Sequence, residues 1–483
     1  MKFKTPGQHK DLDGFRRHWK GIAADLDCAT DLAQLDPGLA APIAYRDRII
    51  GNRWVAHPME GWDGTDRGLP TVDTLRRWAR FGTSGAKLVW GGEAFAVRAD
   101  ARANPHQLYL EPSVDTRGGL RELRETLLQA HRDAGLGADD LYVGLQLTHS
   151  GRYARPDHSG PRPRIAYRHP VLDAPSGVDS DDAVLSDGEL DDLVADFVAA
   201  ARAAQETGFD FVDVKCCHGY LLHELLGAKT RPGPYGGSFG NRTRFFRNTV
   251  AAIRDACPGL DIGVRVSIGD IHPHAPGADR RGEPQGWDEH LPYDYGFGVD
   301  ARDPRKIDLA EGFRFLELLQ SLDIRLVNLT LGSPYYNPHL QRPAAYPPCD
   351  GYRPPEDPLH QVAEHIHVTR RCKAAFPGLL LVGTGYSYLQ EWLPHVAQHE
   401  IAAGHVDFVG IGRMALSYPE MPRDVLQGRE LQRRKICRTF SDCTTAPRNG
   451  LPSGCYPLDP AYKQRDEAAQ LRKIKSRIQG GQQ

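Results

Sequence analysis

A repeated alternation of short apolar runs with longer helix-period segments limits what this 483-residue chain can fold into. Eight runs rich in β-branched and apolar residues are each followed by a loop, and most loops lead into a segment with helical periodicity. The predicted strands are Trp54–His57, Ala86–Trp90, Leu141–Leu147, Phe211–Lys215, Ile262–Ser267, Arg325–Thr330, Leu379–Val382 and Asp407–Ile411. Eight strand–helix units are what a closed (β/α)8 barrel requires. We therefore predict an α/β protein with a TIM barrel, and keep a doubly wound open sheet as the alternative.

The unit around the fourth predicted strand carries clear helix-boundary signals. Ser186 and Glu189 have the spacing of a capping box, and an apolar stripe at helical spacing follows them. Gly208 suits the exit from that helix. In the next unit, Asn241 is the predicted N-cap and Pro258 ends the predicted helix.

Three regions are expected around or outside the repeat. Residues 1–41 form a polar N-terminal extension, residues 42–430 form the barrel, and residues 431–483 form a tail packed on or beside the barrel. Two long, Pro-rich insertions, Arg152–Asp182 and Asp270–Lys306, each follow a strand. Loops in that position build the rim of a barrel's active site.

Charge and cysteine content narrow the range of partners. The 60 Lys and Arg residues against 62 Asp and Glu residues give a net charge of −2, which argues against binding nucleic acid or anionic lipid. No apolar stretch approaches the length of a membrane span, and the N-terminus has no signal-peptide pattern. The nine scattered cysteines suit a reducing compartment. We expect a cytoplasmic protein that acts on a small molecule and binds neither nucleic acid nor membrane. The sequence does not determine the oligomeric state, and a homo-oligomer is one option.

Polar residues stand at the ends of three successive predicted strands. Gln146 lies within the third strand, Lys215, His218 and Tyr220 follow one another at the end of the fourth, and Arg265 lies within the fifth. Any one of them alone reads more simply as a structural residue. Because strand ends at the top of a barrel face the active site, the group as a whole favours a functional site.

The last two predicted strands run into glycine-containing turns ahead of a helix. The segments are LLVGTGYS, with Gly383 and Gly385, and DFVGIGR, with Gly412 and Arg413. Glycine lets backbone N–H groups approach an anion, and phosphate sites recur after the seventh and eighth strands of barrels. Arg413 can add a charge-assisted bond to the same phosphate. Each turn taken alone is weak evidence, because GTGYSY lacks the third glycine of a dinucleotide fingerprint.

An ordered set of motifs runs through these positions, from about residue 45 to about residue 425. They are WVAHPMEG, GAKLVWGGEA, GLQLTHSGR, GFDFVDVKCCHGYLLHELL, RPGPYGGSFGNRTRFF, IGVRVS, LLVGTG and DFVGIGRMALSYPEMP. In these motifs the chain resembles the old yellow enzyme family, FMN-dependent NADH:flavin oxidoreductases built on one (β/α)8 barrel. The resemblance implies FMN as the cofactor and NADH or NADPH as the co-substrate.

The resemblance also implies which residues hold the flavin. Pro58 and Met59 would offer backbone contacts to the flavin ring, and Gly92 would line its face. Gln146 would bond the pyrimidine edge, and Arg265 would lie beside it as a cation that favours reduction of the ring. The residues that would hold the ribityl phosphate are Gly383, Gly385, Gly412 and Arg413.

Three residues after the fourth strand are implied to be catalytic. Tyr220 corresponds to a tyrosine that serves some members as a proton donor. Relatives place a pair, His with His or Asn, three residues apart, where this chain has Lys215 and His218. His218 can still donate to a substrate oxygen, and Lys215 suits a carboxylate, phenolate or enolate oxygen. The alternative for Lys215 is a structural ion pair with an acid such as Asp213 or Glu224.

The cysteines after the barrel depart from the pattern of larger family members. Those members hold a four-iron cluster through C-x2-C-x3-C-x11-C, whereas Cys437, Cys443 and Cys455 match only the final interval. A cubane cluster needs four ligands. We therefore predict the single-barrel form without an iron–sulfur cluster and assign no metal, with zinc held by these cysteines and a distant histidine as the alternative.

Two further positions carry two interpretations each. Glu60 follows the Pro58–Met59 step, where its charge either touches substrate or caps the loop. Tyr335 and Tyr336 follow the sixth strand and either wall the substrate pocket or pack on the surface.

The predicted function is hydride transfer between NAD(P)H, flavin N5 and an oxygen-bearing organic substrate, an anionic one included, as in an ene-reductase. One alternative is an FMN-dependent dehydrogenase or demethylase that runs oxidatively. Another is a barrel lyase or isomerase that uses Lys215 as a Schiff-base or general-base residue. A non-enzymatic binding protein is the most distant alternative.

Overall fold

The structure, a computed structural model, describes residues 3–480 and contains thirteen strands within that range. The strands are β1 Ile43–Tyr45, β2 Arg48–Ile50, β3 Trp54–Ala56, β4 Leu88–Val89, β5 Ala94–Ala96, β6 Tyr142–Thr148, β7 Phe211–Val214, β8 Asp261–Gly269, β9 His274–Pro276, β10 Gly282–Pro284, β11 Leu326–Leu331, β12 Leu380–Gly383 and β13 Phe408–Ile411.

Helices alternate with these strands along the chain. The α-helices are α1 Leu12–Ile22, α2 Val72–Gly82, α3 Thr116–Asp133, α4 Asp173–Ser176, α5 Asp187–Glu206, α6 Leu221–Leu226, α7 Phe239–Arg242, α8 Arg244–Ala256, α9 Ala310–Ser321, α10 Pro338–Gln341, α11 Pro358–Ala375, α12 Leu393–Ala402, α13 Arg413–Ser417, α14 Met421–Leu426, α15 Asp442–Arg448, α16 Pro460–Lys463 and α17 Asp466–Gly480. The 3₁₀ helices are Pro6–Gln8, Ala99–Ala101, Gly151–Tyr153, Asp181–Ala183, Asp288–His290 and Tyr386–Trp392.

Eight of the strands close into a parallel barrel. They follow one another in the order β4, β3, β13, β12, β11, β8, β7 and β6, and β6 pairs back with β4 through Leu88 opposite Tyr142. The eight strands are the predicted ones, with ends that differ by at most two residues. The predicted TIM barrel is therefore confirmed, and the closing pair excludes the open sheet.

The barrel core is apolar on both faces of the sheet. Every residue of β6, β7 and β11 is buried, because helices cover the outside while side chains fill the inside. The hairpin β1–β2, which was not predicted, packs with the lower barrel layer, where Tyr142 and Phe211 stack at 5.3 Å. Its strands of three residues are too short to show an alternating pattern.

One predicted helix start is confirmed and another is wrong. Ser186 caps α5, and its side chain accepts a hydrogen bond from the backbone of Glu189. Asn241, the second predicted N-cap, lies inside the short helix α7, which Ser238 caps, and the longer helix α8 begins only at Arg244. Ser238 competes successfully because its hydroxyl reaches the Asn241 N–H and starts the turn three residues earlier.

The N-terminal extension and the tail both pack on the barrel. Phe15 of α1 stacks on Trp392 at 5.6 Å on the outside. The tail has a small core of its own around Tyr456 and Tyr462, and Arg465 pairs with Asp73 of α2. These contacts hold α15 over the open end of the barrel.

Within residues 3–480, no helix has both the length and the apolar character that a membrane crossing needs.

Candidate active site

A cavity opens at the carboxyl ends of the barrel strands. Its walls bring together residues that are far apart in the sequence but were predicted to form one site. Ten of the twelve predicted site residues line it: Pro58, Met59, Gln146, Lys215, His218, Tyr220, Arg265, Gly385, Gly412 and Arg413. The barrel topology thus gathers most of the predicted site in one place.

Two predicted glycines shape the loops behind the cavity and do not line it. The carbonyl of Gly92 accepts a hydrogen bond from the backbone of Met59, and a side chain at Gly92 would come within 2.7 Å of the Trp78 ring. Gly383 is the last residue of β12, where an added Cβ would lie 3.0 Å from Tyr386. Neither is among the residues that face the cavity.

One end of the cavity floor is built around Asp213 in β7. Its carboxylate accepts hydrogen bonds from the Gln146 side chain at 2.6 Å, the Trp90 indole at 2.8 Å and the Arg265 backbone at 2.7 Å. The Asp213 bond fixes the Gln146 amide nitrogen, so the amide oxygen is left to accept from a ligand. The guanidinium of Arg265 makes no hydrogen bond or ion pair within the described chain, and burial lowers its pKa. This end therefore offers one acceptor and one unpaired cation side by side.

The other end of the cavity contains the two predicted glycine turns. Gly385 has a φ of +94°, Gly412 leads into α13, and Ser387 also lines the wall. Arg413 donates to the Pro343 carbonyl at 2.6 Å, while its other terminal nitrogen is buried without a partner. The helix expected after each turn is short: one is the 3₁₀ segment Tyr386–Trp392, interrupted by a kink at Gln390, and the other is the five residues of α13. An anion bound here would therefore be held by backbone N–H groups, Ser387 and Arg413 more than by a helix dipole.

A buried charge cluster supports the loop that carries Met59 and Glu60. Arg77 pairs with Asp63 and lies 2.7 Å from Glu93, and all three side chains are at most 5% exposed. Glu93 also accepts the backbone N–H of Gly61 at 2.8 Å. Burial raises the pKa of Glu93 to about 7, and the positive charge of Arg77 opposes that rise. The cluster therefore fixes the loop over the cavity through a carboxylate that titrates near neutral pH.

We expect the free energy of unfolding to carry a component that falls as the pH rises from about 4.5 to about 7. Between these values the folded Glu93 binds more protons than the unfolded one, so deprotonation favours unfolding. Urea unfolding of wild type and Glu93→Gln at pH 4.5 and 7 measures this component. The variant should show a smaller fall, whereas the exposed-acid control Glu125→Gln should keep the wild-type slope. Equal slopes in all three proteins would exclude the assignment.

Lys215 forms an ion pair with an acid that the sequence did not suggest. Its Nζ lies 2.6 Å from Glu60 Oε1 and 3.9 Å from the centre of the Tyr220 ring. The alternative of an ion pair for Lys215 is confirmed, but the acids named for it, Asp213 and Glu224, are not its partner. Asp213 holds Gln146 as described above, and Glu224 pairs with the buried Arg152. Lys215 and Glu60 are 155 residues apart, so no local pattern could pair them.

Glu60 connects Lys215 to two tyrosines. The Tyr220 hydroxyl donates to Glu60 Oε2 at 2.9 Å and lies 2.9 Å from the Tyr335 hydroxyl. Tyr335 in turn stacks on Tyr153 at 3.8 Å. Burial, followed by the negative charge of Glu60, raises the pKa of Tyr220 well above its ordinary value. Tyr220 therefore keeps its proton at neutral pH.

His218 faces the same cavity on a strained backbone. Its φ is +70°, and its backbone is held by Ser267 at 3.0 Å and Ser333 at 2.7 Å. Burial, followed by the charges of Arg265 and Lys215, lowers the pKa of His218 well below its ordinary value. Its Nε2 lies 3.2 Å from the Gln341 amide nitrogen. A neutral imidazole held in a sparsely populated conformation is typical of a functional position.

The remaining wall comes from segments that the sequence did not place in the site. Neither Pro-rich insertion lines the cavity, although both follow barrel strands. The tail lines it instead, and so does the loop after α10. The lining residues not predicted from the sequence include Gln341, Arg342, Cys443, Thr444, Pro447, Arg448 and Ser453. The one available signal was the Arg342–Pro343 step after the sixth strand; the tail residues carry no motif that points to a site.

All nine cysteines are free thiols.

A sequence model described as the NADH:flavin oxidoreductase / NADH oxidase family matches residues 39–279, about half of the chain. The chain belongs to this family. The matched range covers β3 to β8 and most of the polar end of the cavity. The predicted family is thereby confirmed, and membership of this flavin oxidoreductase family implies FMN as the cofactor.

Individual relatives agree with the family assignment. An NADPH dehydrogenase of Bacillus velezensis is 32% identical over 244 residues, and one of Geobacillus sp. WCH70 is 30% identical over 249 residues. These alignments cover 48% and 49% of this chain, and the chain spans 64% of the length of each relative.

Solved structures share the fold at low sequence identity. A 2-naphthoyl-CoA reductase complex matches with a TM-score of 0.62 and 17% identity, covering 88% of this chain and 57% of that one. An old yellow enzyme homologue from Zymomonas mobilis matches with a TM-score of 0.54 and 19% identity, covering 82% and 94%. At these identities the likeness concerns the fold alone.

The donor set of the cavity fits FMN. A free amide oxygen on Gln146 and the unpaired Arg265 suit the polar edge of a flavin ring. At the opposite end, the glycine turn at Gly385, the Ser387 hydroxyl and the unpartnered nitrogen of Arg413 suit a phosphate. The two sets lie at separate ends of one cavity, as a molecule with a polar ring and a distant phosphate requires.

Proposed function

We propose that the protein is an FMN-dependent NAD(P)H oxidoreductase that reduces an oxygen-bearing, electron-poor organic substrate. The single observation that carries the proposal is the shared cavity. It combines the Gln146–Arg265 edge and the Arg413 turn with a protonated tyrosine and a neutral histidine. FMN bound there would accept hydride at N5 from NAD(P)H and return it to the substrate.

In this proposal the side chains of the chain bind and orient the flavin. Gln146, fixed by Asp213, accepts from the ring, and the positive charge of Arg265 favours electron density at that edge. Arg413 neutralises the phosphate and anchors the far end. Met59 lies on the loop that the Arg77 cluster supports.

Substrate activation is assigned to His218 and Tyr220. His218 binds the substrate oxygen and so draws electron density from the carbon that accepts hydride. Tyr220 donates its phenolic proton to the neighbouring carbon. Tyr335 lies 2.9 Å from the Tyr220 oxygen and is positioned to restore that proton. Glu60 fixes both the Tyr220 hydroxyl and Lys215.

The lyase alternative is disfavoured by the environment of Lys215. Its ammonium group is 2.6 Å from Glu60 and only 1% exposed. A Schiff-base or general-base lysine needs a free amine, whereas the Lys215 nitrogen is buried and engaged by Glu60.

The proposal is tested with the purified full chain. We expect a yellow protein whose flavin is released by acid as FMN, and whose absorbance near 450 nm bleaches anaerobically with NADPH or NADH at about 100 μM, a concentration typical of substrate affinities. Addition of an α,β-unsaturated aldehyde such as 4-methylcinnamaldehyde should restore the absorbance. A colourless protein that takes up no added FMN would contradict the proposal.

Arg265→Met should make the bound flavin harder to reduce, because the variant removes the unpaired cation next to Gln146. Loss of a charge-assisted interaction of roughly 1.5–3 kcal/mol corresponds to a potential lower by about 30–60 mV for a two-electron couple. Dye-equilibrated titration measures the potential. The control Arg305→Met removes an exposed arginine on the second insertion and should leave the potential unchanged. An unchanged potential in Arg265→Met would remove Arg265 from the flavin edge.

A further inference from the structure

The cavity contains more positive charge than one flavin phosphate accounts for. Of its lysine and arginine residues, Lys215 pairs with Glu60, and Arg77 pairs with Asp63 and Glu93. Arg448 pairs with Asp350 at 3.1 Å. Three arginines, namely Arg265, Arg342 and Arg413, have no carboxylate within 4 Å among residues 3–480. The flavin assigned above uses two of them.

Arg342 is the remaining unpaired cation. Its Nη1 donates to the Thr444 hydroxyl at 2.7 Å, and its Nη2 is buried without any partner. Burial, followed by the charges of Arg448 and Arg413, lowers the pKa of Arg342 to about 9. A buried cation surrounded by other cations is costly unless an anion joins it. The orphaned nitrogen therefore marks a place for a negative ligand group.

Arg342 lies between the end of the cavity that contains Arg413, whose guanidinium donates to the carbonyl of Pro343, and the side where substrate is expected. It follows Gln341, whose amide lies 3.2 Å from His218. The positive charges of Arg448 and Arg342 both act on Tyr335, which touches Tyr220. Thr444 and Arg448 complete this wall from α15 of the tail. The unpaired guanidinium is thus close to the proposed proton donor and oxygen-binding histidine.

Lys215, which the sequence suggested for an anionic substrate, is neutralised by Glu60. Specificity for an anion must come from a different cation, and Arg342 is the one left over.

We propose that Arg342, with Thr444 and Arg448, forms an anion subsite for the substrate. This inference rests on the proposed function and narrows it to substrates that carry a carboxylate or phosphate group away from the reacting carbonyl. Arg342 binds that group through Nη2, while Arg448, which is paired with Asp350, contributes a smaller share of the positive charge from the tail.

The test compares matched ligands on the FMN-loaded enzyme. The probes are 4-carboxycinnamaldehyde, a 4-phosphonate analogue and the neutral 4-methylcinnamaldehyde, with binding measured by isothermal titration calorimetry and turnover by kcat/KM. Wild type should prefer an anionic probe at least tenfold in Kd. The preferred probe then distinguishes a carboxylate subsite from a phosphate subsite. Arg342→Met and Arg448→Met should reduce this preference, with Arg342→Met bringing it close to one.

The control is Arg325→Met, an exposed arginine at the start of β11 on the opposite end of the barrel. It should retain the wild-type preference. A wild type with equal affinity for the anionic and neutral probes overturns the inference, and so does an Arg342→Met variant that keeps the preference. An Arg342→Met protein that loses FMN also overturns it, because Arg342 would then hold the flavin phosphate. If wild type binds no FMN at all, the proposed function itself is contradicted. That result differs from failure of the anion subsite alone, in which wild type still binds FMN.

Discussion

Tyr220→Phe should slow reoxidation of the reduced enzyme by an unsaturated aldehyde by about 10²–10⁴-fold, the usual contribution of a positioned proton donor. Reduction of the enzyme by NADPH should change little, because that step needs no proton from Tyr220. Stopped-flow measurement of the flavin absorbance follows the two half-reactions separately. The hydroxyl removed is the one that lies between Glu60 and Tyr335, and burial keeps it protonated.

Tyr336→Phe provides a matched control for this experiment. Tyr336 is adjacent to Tyr335 in the sequence, but its hydroxyl donates to Asp270 at 2.5 Å, away from Glu60. This variant loses a buried hydrogen bond, so a loss of stability of about 1 kcal/mol is expected without slower reoxidation. If Tyr220→Phe slowed both half-reactions equally, Tyr220 would have a packing role and the proton donor would lie elsewhere.

Arg77→Met should lower the free energy of unfolding by about 3–5 kcal/mol, the typical cost of breaking a buried ion pair. The variant leaves Asp63 and Glu93 facing each other without a counter-ion at positions that are at most 3% exposed. Urea denaturation followed by circular dichroism measures the loss. Adding Asp63→Asn to Arg77→Met should recover part of it, since the buried Asp63 carboxylate would otherwise be left without its cation.

The surface pair Arg117–Glu206 supplies the comparison for the Arg77 prediction. Both side chains are nearly half exposed, and Arg117→Met should cost no more than about 1 kcal/mol. A loss below 1 kcal/mol in Arg77→Met would mean that the cluster does not stabilise the loop that carries Met59 and Glu60.

The barrel was predictable because its strands are buried on both faces. A continuous apolar run such as the one at β6 differs from a helical segment, in which apolar residues are separated by polar ones. Eight such runs predicted the barrel. Strands of three residues, as in β5, the hairpin β1–β2 and the antiparallel pair β9–β10, have too little length for a period to appear. The wrong N-cap at Asn241 shows a related limit: two cap residues three positions apart compete, and Ser238 is the cap because its hydroxyl accepts from the Asn241 N–H.

The site was predictable where a polar residue interrupts an apolar strand. Gln146 and Arg265 were visible for that reason, and both face the cavity. Contacts between distant segments were not visible. The partner of Lys215 comes from the loop after β3, and Thr444 meets Arg342 from a segment 102 residues further along. Such pairings depend on how the loops and the tail fold over the barrel, which no local pattern records.

If the proposed anion subsite is correct, the position of α15 separates two tasks that a single barrel usually combines. The matched family segment ends at residue 279, whereas Thr444 and Arg448 enter the cavity from outside the sheet. Substitutions in α15 would change which molecules enter the cavity while leaving every strand and its hydrogen bonds intact. Relatives with the same barrel and a different segment in the place of α15 would thus diversify in substrate choice at little cost to folding. Grafting such a segment onto another barrel becomes a practical route to altered selectivity.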